Sequence, residues 1–291
     1  MNADRKAEMR ALVAVGFIVA QAACVSPEKL AVSSTAKVDP AQAMENCRGK
    51  MWSRAGARVQ MEADGEMPMS ITTVQHPQTS DPSGCAALIE IHSKTALAAM
   101  LEPPILTDQR NWVAVSPLGA SPAVQIQTRG EINASGYYAR AYGTSESIAS
   151  GIVSYAGVQF HEGLLLDGAE IRSSVSLKIY ARDSGVEFAE LHAPAATVSI
   201  GPRRVGRSEL IETAFGPKAC FPITYEKRTS LGSMEFLGEV GTARSAISQI
   251  TDWYCPSEDF VLRTDVRQSD RTQRVETTDI VPVEDTQSRL P

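Results

Sequence analysis

Two histidines and two serines lie where the central part of the sequence predicts neighbouring β-strands. His161 and His192 with Ser174 and Ser176 are the residue types of a hydrolase that activates serine through histidine, and Glu190 could orient the base. However, no G-x-S-x-G turn occurs, and a serine in mid-strand lacks the exposed turn and the oxyanion donors that this chemistry needs. Hydrolysis is therefore the alternative interpretation of function rather than the leading one.

The chain carries no pattern that is typical of a metal or nucleotide site. Its four histidines are His76, His92, His161 and His192, and they are scattered, without an H-E-x-x-H or C-x-x-C motif. Neither G-x-G-x-x-G nor a P-loop occurs. The sequence predicts no metal and no cofactor. A net charge of −6 also disfavours binding of nucleic acid.

Two groups of residues could form a binding surface. Tyr155, Tyr180 and Phe188 fall on one face of the predicted sheet as an aromatic row, which would serve a partner or be covered by a second layer. Arg203, Arg204 and Arg207 form a basic cluster before a predicted helix, where a phosphate or carboxylate could bind; the competing interpretation is a solvated loop. Both groups are retained as candidate binding sites.

The N-terminus has the order of a secretory signal. Basic residues among the first ten are followed by an apolar run over residues 11–20 and then by small residues. A run of this length is too short to span a hydrocarbon core of about 30 Å as a helix. We therefore predict that residues 1–24 are a signal peptide and that the mature protein works outside the cytoplasm.

Two cleavage sites compete within this signal. Ala20-Gln21-Ala22 fits the A-x-A pattern of release into the periplasm. Gln21-Ala22-Ala23-Cys24 resembles the lipobox of bacterial lipoproteins, and this resemblance implies a lipid on Cys24 and a membrane anchor. Because Val25-Ser26 lacks the Asp that marks inner-membrane retention, the resemblance further implies the periplasmic face of the outer membrane. A soluble periplasmic or secreted protein and a retained N-terminal helix remain alternatives.

The cysteine count favours lipidation. The chain has five cysteines, and an odd thiol is unfavourable in an oxidising compartment. If Cys24 is acylated, an even set remains, namely Cys47, Cys85, Cys220 and Cys255. We predict Cys47–Cys85 and Cys220–Cys255 disulfides among three possible connectivities.

The strongest secondary-structure signal is a strand over residues 169–181, which alternates apolar and polar residues with period two. Asp167-Gly168 predicts a hairpin that pairs this strand with residues 157–166, and Asp183-Ser184-Gly185 predicts a second hairpin with residues 186–192. The predicted pairs in the second hairpin are Tyr180 with Phe188, Lys178 with Glu190, and Ser176 with His192. Further strands are expected at residues 124–129, 136–142 and 197–200, and helices at residues 40–62, 95–101, 208–215 and 242–253.

The predicted fold class is α+β, predominantly antiparallel β with a meander or sandwich-like core and a few flanking helices. After the signal we expect a tether over residues 25–38, a β-rich extracytoplasmic domain over residues 39–263 as one body or two lobes, and a disordered or extended tail over residues 264–291. The leading interpretation is an envelope-tethered binding or structural protein whose partner is a protein, a glycan or a lipid. An envelope hydrolase is the alternative.

Overall fold

The protein is built from β-strands joined by turns. The computed structural model describes residues 57–64, 69–77, 85–95, 105–117, 124–153, 155, 158–242, 245–269 and 271–281. In these ranges seventeen strands occur and no helix. The strands are β1 Arg58–Asp64, β2 Met69–Pro77, β3 Cys85–Thr95, β4 Ile105–Pro117, β5 Val124–Ser135, β6 Ala139–Gly151, β7 Leu165–Leu166, β8 Ala169–Ala181, β9 Glu187–Ile200, β10 Arg203–Val205, β11 Glu209–Thr213, β12 Gly216–Ser230, β13 Ser233–Phe236, β14 Glu239–Thr242, β15 Ala246–Cys255, β16 Phe260–Gln268 and β17 Arg271–Val281.

Twelve of these strands form a sheet that closes on itself. Antiparallel pairing runs from β1 through β2, β3, β4, β5, β6, β8, β9, β12, β15 and β16 to β17. Strand β17 then pairs with β1, which completes the circle. The sheet therefore has an inner face and an outer face. The described residues contain no helix with the length and hydropathy needed to cross a membrane.

The inner face carries the hydrophobic core. Val175 and Leu177 of β8 are fully buried and pack with Ile132 of β5 and Leu191 of β9. The β13–β14 hairpin adds Phe236 to this cluster. Because side chains alternate between the two faces of a strand, the residues between these positions lie on the outer face.

The described residues between β6 and β7, namely 152, 153, 155 and 158–164, pack against the inner face at one end of the sheet. Their apolar side chains join a cluster with Val205, Ile223 and Tyr254. The members from this segment are Ile152, Tyr155, Val158, Phe160 and Leu164. The segment, called the inner segment below, thus fills the interior at that end.

A smaller cluster forms beside the sheet, where the β11–β12 hairpin folds over β15 and β16. Ile211 and Leu262 pack around a disulfide between Cys220 and Cys255. The predicted Cys220–Cys255 pairing is therefore confirmed. Cys85 begins β3 and Cys47 lies outside the described residues, so the predicted Cys47–Cys85 bond stays a prediction.

The predicted helices are wrong wherever they fall on described residues. Residues 58–62 belong to β1, residues 209–213 to β11, and residues 246–253 to β15. In β15 the inward residues Ile250, Asp252 and Tyr254 follow period two, and pairing on both sides with β12 and β16 overrides the helical spacing. Residues 40–56 and 96–101 lie outside the described residues.

Of the two hairpins predicted around residues 169–181, one forms and one does not. The second hairpin forms, with Lys178 opposite Glu190 and Ser176 opposite His192, whereas a bulge places Tyr180 opposite Glu187. The first hairpin does not form, because β8 pairs along its whole length with β6. Strands β6 and β8 both have thirteen residues. Val158, Phe160 and Leu164, which the prediction placed in a strand, instead pack partly buried within the inner segment.

The predicted C-terminal tail is structured over most of its length. Residues 264–268 lie in β16 and residues 271–281 in β17, whereas residues 270 and 282–291 are outside the described part. The segment lacks an aliphatic cluster because the outer face of these strands carries ion pairs. Asp265 binds Arg263 and Arg274, while Val275 and Thr277 are buried on the other face. The predicted signal peptide, Cys24 and the predicted tether also lie outside the described residues.

Candidate functional site

The outer face carries two parallel rows of polar residues that cross six neighbouring strands. Strand register places the members of each row side by side. The first row is Glu90, Arg110, Glu131, Thr144, Ser176 and His192, and the second row is His92, Asp108, Asn133, Tyr142, Lys178 and Glu190. We call this surface the outer groove, because the part on β3 to β6 lines a depression of about 590 Å³.

An ion pair and a histidine–carboxylate contact order one end of the outer groove. Arg110 Nε lies 3.0 Å from Glu90 Oε1, and His92 Nδ1 lies 2.7 Å from Asp108 Oδ1. All are cross-strand neighbours, which fixes their spacing through the backbone. These exposed pairs contribute little stability, about 0–1 kcal/mol each, but they hold the charged groups in place.

The middle of the outer groove offers free polar groups. The exposed side chains of Glu131 and Asn133 have no hydrogen-bond partner among the described residues, and Thr144 is exposed beside them. Over both rows, four carboxylates face two basic side chains, so the surface is acidic. A ligand here would meet hydrogen-bond donors and acceptors in a negative field.

An aromatic pair closes the other end of the depression. The ring of Tyr142 is 42% exposed and meets the ring of Tyr180 edge to face, with centroids 5.8 Å apart. Beside it, the hydrogen bond from Lys178 to Glu187 raises the pKa of the Lys178 ammonium. The groove thus combines an apolar ring surface with polar groups on either side.

A second polar centre lies inside the sheet, around Asp252. The hydroxyl groups of Tyr155 and Tyr225 donate to Asp252 Oδ2 over 2.8 and 2.9 Å, and Thr264 donates to Oδ1 over 2.9 Å. Asp252 is 8% exposed. Three donors from three parts of the chain therefore hold one buried carboxylate.

Burial sets the ionisation of this centre. Burial first, and then the negative charge of Asp252, raise the pKa of Tyr155 and Tyr225 far above the ordinary range. Burial also lowers the pKa of the Lys227 ammonium, and the attraction of Asp252 offsets part of that effect. The two tyrosines therefore stay neutral donors at physiological pH.

Arg203 is the buried cation of this centre. Its guanidinium carbon lies 5.3 Å from the ring centroids of both Tyr155 and Tyr225, and it donates to the carbonyl of Ile152. A depression of about 310 Å³ beside Asp252 is lined by residues of the inner segment, β1, β15 and β16. Arg203 and Asp252 together anchor the inner segment to the sheet.

A third polar feature is a buried patch on the inner face of β4, β5, β6 and β8. It consists of uncharged side chains that are all buried, and several of their polar atoms have no hydrogen-bond partner among the described residues. The unpartnered atoms are Thr107 Oγ1, Gln109 Oε1, Ser145 Oγ, Ser147 Oγ and Ser173 Oγ. Gly130 lies among them, and a Cβ there would come within 2.2 Å of Asn111 Oδ1.

The predicted aromatic row does not form. Tyr155 lies inside the sheet at Asp252, Tyr180 lies at the outer groove, and Phe188 is 43% exposed. The prediction depended on the first hairpin, which the pairing of β6 with β8 replaces. Tyr180 alone remains next to a candidate binding surface.

The predicted basic cluster is divided in the same way. Arg203 is 3% exposed, whereas Arg204 and Arg207 are exposed beside it. Lys218 pairs with Glu258 at 2.6 Å, and residues 209–213 form β11 instead of the predicted helix. No anion-binding helix terminus therefore exists at this cluster in the described chain.

The predicted hydrolase residues are also separated. Ser176 and His192 are cross-strand neighbours in the first row of the outer groove, but Ser174 pairs with Glu146 and His161 precedes a turn. Lys178 and Glu190 continue the second row, as the predicted register requires. The predicted pairs Ser176–His192 and Lys178–Glu190 thus form one end of the outer groove.

Other residues of these sites were not anticipated. The sequence does not predict strand β4, because its inward residues Thr107, Gln109 and Asn111 are polar. The segment therefore lacks the alternation of apolar and polar residues that indicates a strand. Asp252, Tyr225 and Thr264 carry no local motif, since their contacts join distant strands. Only the alternation of charged residues in β4 could have indicated the groove.

No protein-family model matches the chain, and no curated protein sequence matches it. Two solved structures are similar to it. One, from Bacteroides fragilis, is a "putative exported protein with YmcC-like fold"; it is 11% identical, with 79% of this chain and 97% of that chain covered and a TM-score of 0.37. The other is a "putative lipoprotein" from Parabacteroides distasonis, 13% identical, with 79% and 96% covered and a TM-score of 0.33. At these scores neither likeness carries a conclusion about function.

Proposed function

We propose that the chain is an extracytoplasmic binding protein, tethered to a bacterial membrane through Cys24, that binds an envelope partner in the outer groove. The observation that carries binding is the groove itself. It has a volume of about 590 Å³, within the range of ligand sites, and the side chains of Glu131 and Asn133 in it have no hydrogen-bond partner among the residues that the structure describes. The signal-like residues 1–24 and the Cys220–Cys255 disulfide support work in an oxidising compartment.

The tether is tested by the intact mass of the protein purified from membranes of its native host. We expect a chain that begins at Cys24 and carries a diacyl or triacyl modification. The variant Cys24→Ser should lose this modification and leave the membrane fraction. An unmodified chain that begins at Ala23 would contradict the tether.

Binding in the groove is tested with envelope fragments from the same host. We expect the purified mature chain to sediment with these fragments, and Tyr142→Ala to weaken the apparent affinity by about tenfold. Glu131→Gln tests the carboxylate in the middle of the groove. The matched controls are Tyr138→Ala, an exposed tyrosine outside the groove, and Glu209→Gln on β11. Equal retention of all variants would contradict a role for the groove.

A further inference from the structure

We infer that the ligand of the outer groove is a saccharide chain without net negative charge. This inference rests on the proposed function, since it names the ligand class of the same site. It depends on the charge of the groove, on its free hydrogen-bonding groups and on its exposed ring.

The charge of the groove disfavours anionic ligands. Within the two rows, Glu90, Asp108, Glu131 and Glu190 outnumber the permanent cations, which are Arg110 and Lys178. Both cations are already engaged by carboxylates, Arg110 by Glu90 and Lys178 by Glu187, and His92 contacts Asp108. A phosphate or uronate polymer would therefore meet repulsion from the carboxylates, and neither cation of the two rows is free to bind it. A neutral ligand meets no such penalty.

The free groups match a ligand that both donates and accepts hydrogen bonds. The carboxylate of Glu131 only accepts, the amide of Asn133 does both, and the hydroxyl of Thr144 does both. They come from neighbouring strands, with Glu131 directly opposite Thr144. Hydroxyl groups spaced along an extended molecule can satisfy this set, because each hydroxyl is a donor and an acceptor.

The exposed ring supplies the apolar contact. Tyr142 stands next to Asn133 in the second row, and its edge-to-face contact with Tyr180 fixes the ring in place. A sugar ring presents a flat C–H surface together with polar hydroxyls at its rim, which a tyrosine beside an amide can meet at the same time. A protein partner fits less well, since the cores of protein interfaces are depleted in charged residues.

The test uses isolated envelope fragments of the native host in three forms: untreated, digested with protease, and oxidised with periodate, which cleaves vicinal diols of sugars. We expect the mature chain to bind the untreated and the protease-treated fragments, and to lose about tenfold in apparent affinity for the oxidised ones. Neutral dextran should compete better than polygalacturonate. Asn133→Ala and Tyr142→Ala should weaken binding, while Tyr138→Ala should not.

The outcomes separate this inference from the proposed function. Groove-dependent binding that protease abolishes and periodate leaves intact would overturn the saccharide and leave a protein partner. Competition by polygalacturonate alone would overturn the absence of negative charge. Absence of groove-dependent binding to any of the three forms would overturn the proposed function itself.

Discussion

The hydroxyl of Tyr155 donates a 2.8 Å hydrogen bond to the carboxylate of Asp252, which lies 97 residues later in the chain. This bond joins the inner segment to β15 across the interior. The ring of Tyr155 also lies 5.3 Å from the guanidinium of Arg203, so that one side chain contacts both the buried anion and the buried cation. The position of the inner segment therefore depends on this tyrosine.

Removal of the Tyr155 hydroxyl should destabilise the fold. We expect Tyr155→Phe to lower the free energy of unfolding by about 1.5–3 kcal/mol, because a buried carboxylate loses one of its donors. Urea denaturation followed by circular dichroism measures the change. Tyr138→Phe, at an exposed tyrosine, is the control and should be neutral. A Tyr155→Phe protein as stable as wild type would contradict the role of this bond.

The same tyrosines should make the protein sensitive to alkaline pH. The pKa of Tyr155 and of Tyr225 is raised in the folded state, by burial and by Asp252, so only the unfolded state releases these protons near pH 10. The contribution of the two tyrosines to the free energy of unfolding is complete below pH 10 and is lost as the pH rises above 10. Stability measured from pH 8 to pH 11 should therefore fall above pH 10. The fall should be smaller in the Tyr155→Phe/Tyr225→Phe double variant, and an unchanged slope would count against this cause.

Two hydroxyls, one half-buried and one buried, should respond in opposite ways to removal. Thr264 donates to Asp252 over 2.9 Å, and Thr264→Val should cost about 1–3 kcal/mol of unfolding free energy. Ser173 Oγ has no partner in the described part of the chain, so Ser173→Ala should leave stability within about 0.5 kcal/mol of wild type or increase it. Thermal and urea unfolding of both variants give the comparison. A large loss in Ser173→Ala would mean that its hydroxyl has a partner in solution.

The Cys220–Cys255 disulfide should stabilise the β11–β12 end of the fold. It closes a loop of 35 residues, and its removal in Cys220→Ala/Cys255→Ala should cost about 2–4 kcal/mol. Addition of reductant during urea denaturation should lower the free energy of unfolding of the wild-type protein but not that of the double variant.

Non-reducing peptide mapping of the mature chain tests the disulfide connectivity, including the predicted Cys47–Cys85 bond. A peptide that links Cys220 to any other cysteine would contradict the pairing.

Local patterns in the sequence were sufficient to predict the β8–β9 hairpin. The alternation over residues 169–181 defined the two faces, and the turn at Asp183-Ser184-Gly185 set the register that brings Ser176 opposite His192. Gly185 adopts a φ of 66°, which a glycine reaches without strain. The antiparallel character of the protein and the Cys220–Cys255 pair were accessible for similar reasons, because they depend on residue types and short separations.

The tertiary structure decided the rest. Strand β8 pairs with β6 and not with residues 157–166, because closure of the sheet offers hydrogen bonds along all thirteen residues of β8. Strand β4 has polar residues on both faces, so no period in the sequence shows it, and yet it supplies Asp108 and Arg110 to the outer groove. The Asp252 centre joins residues 97 apart. Such contacts are set by the pairing of whole strands, which no short stretch of sequence encodes.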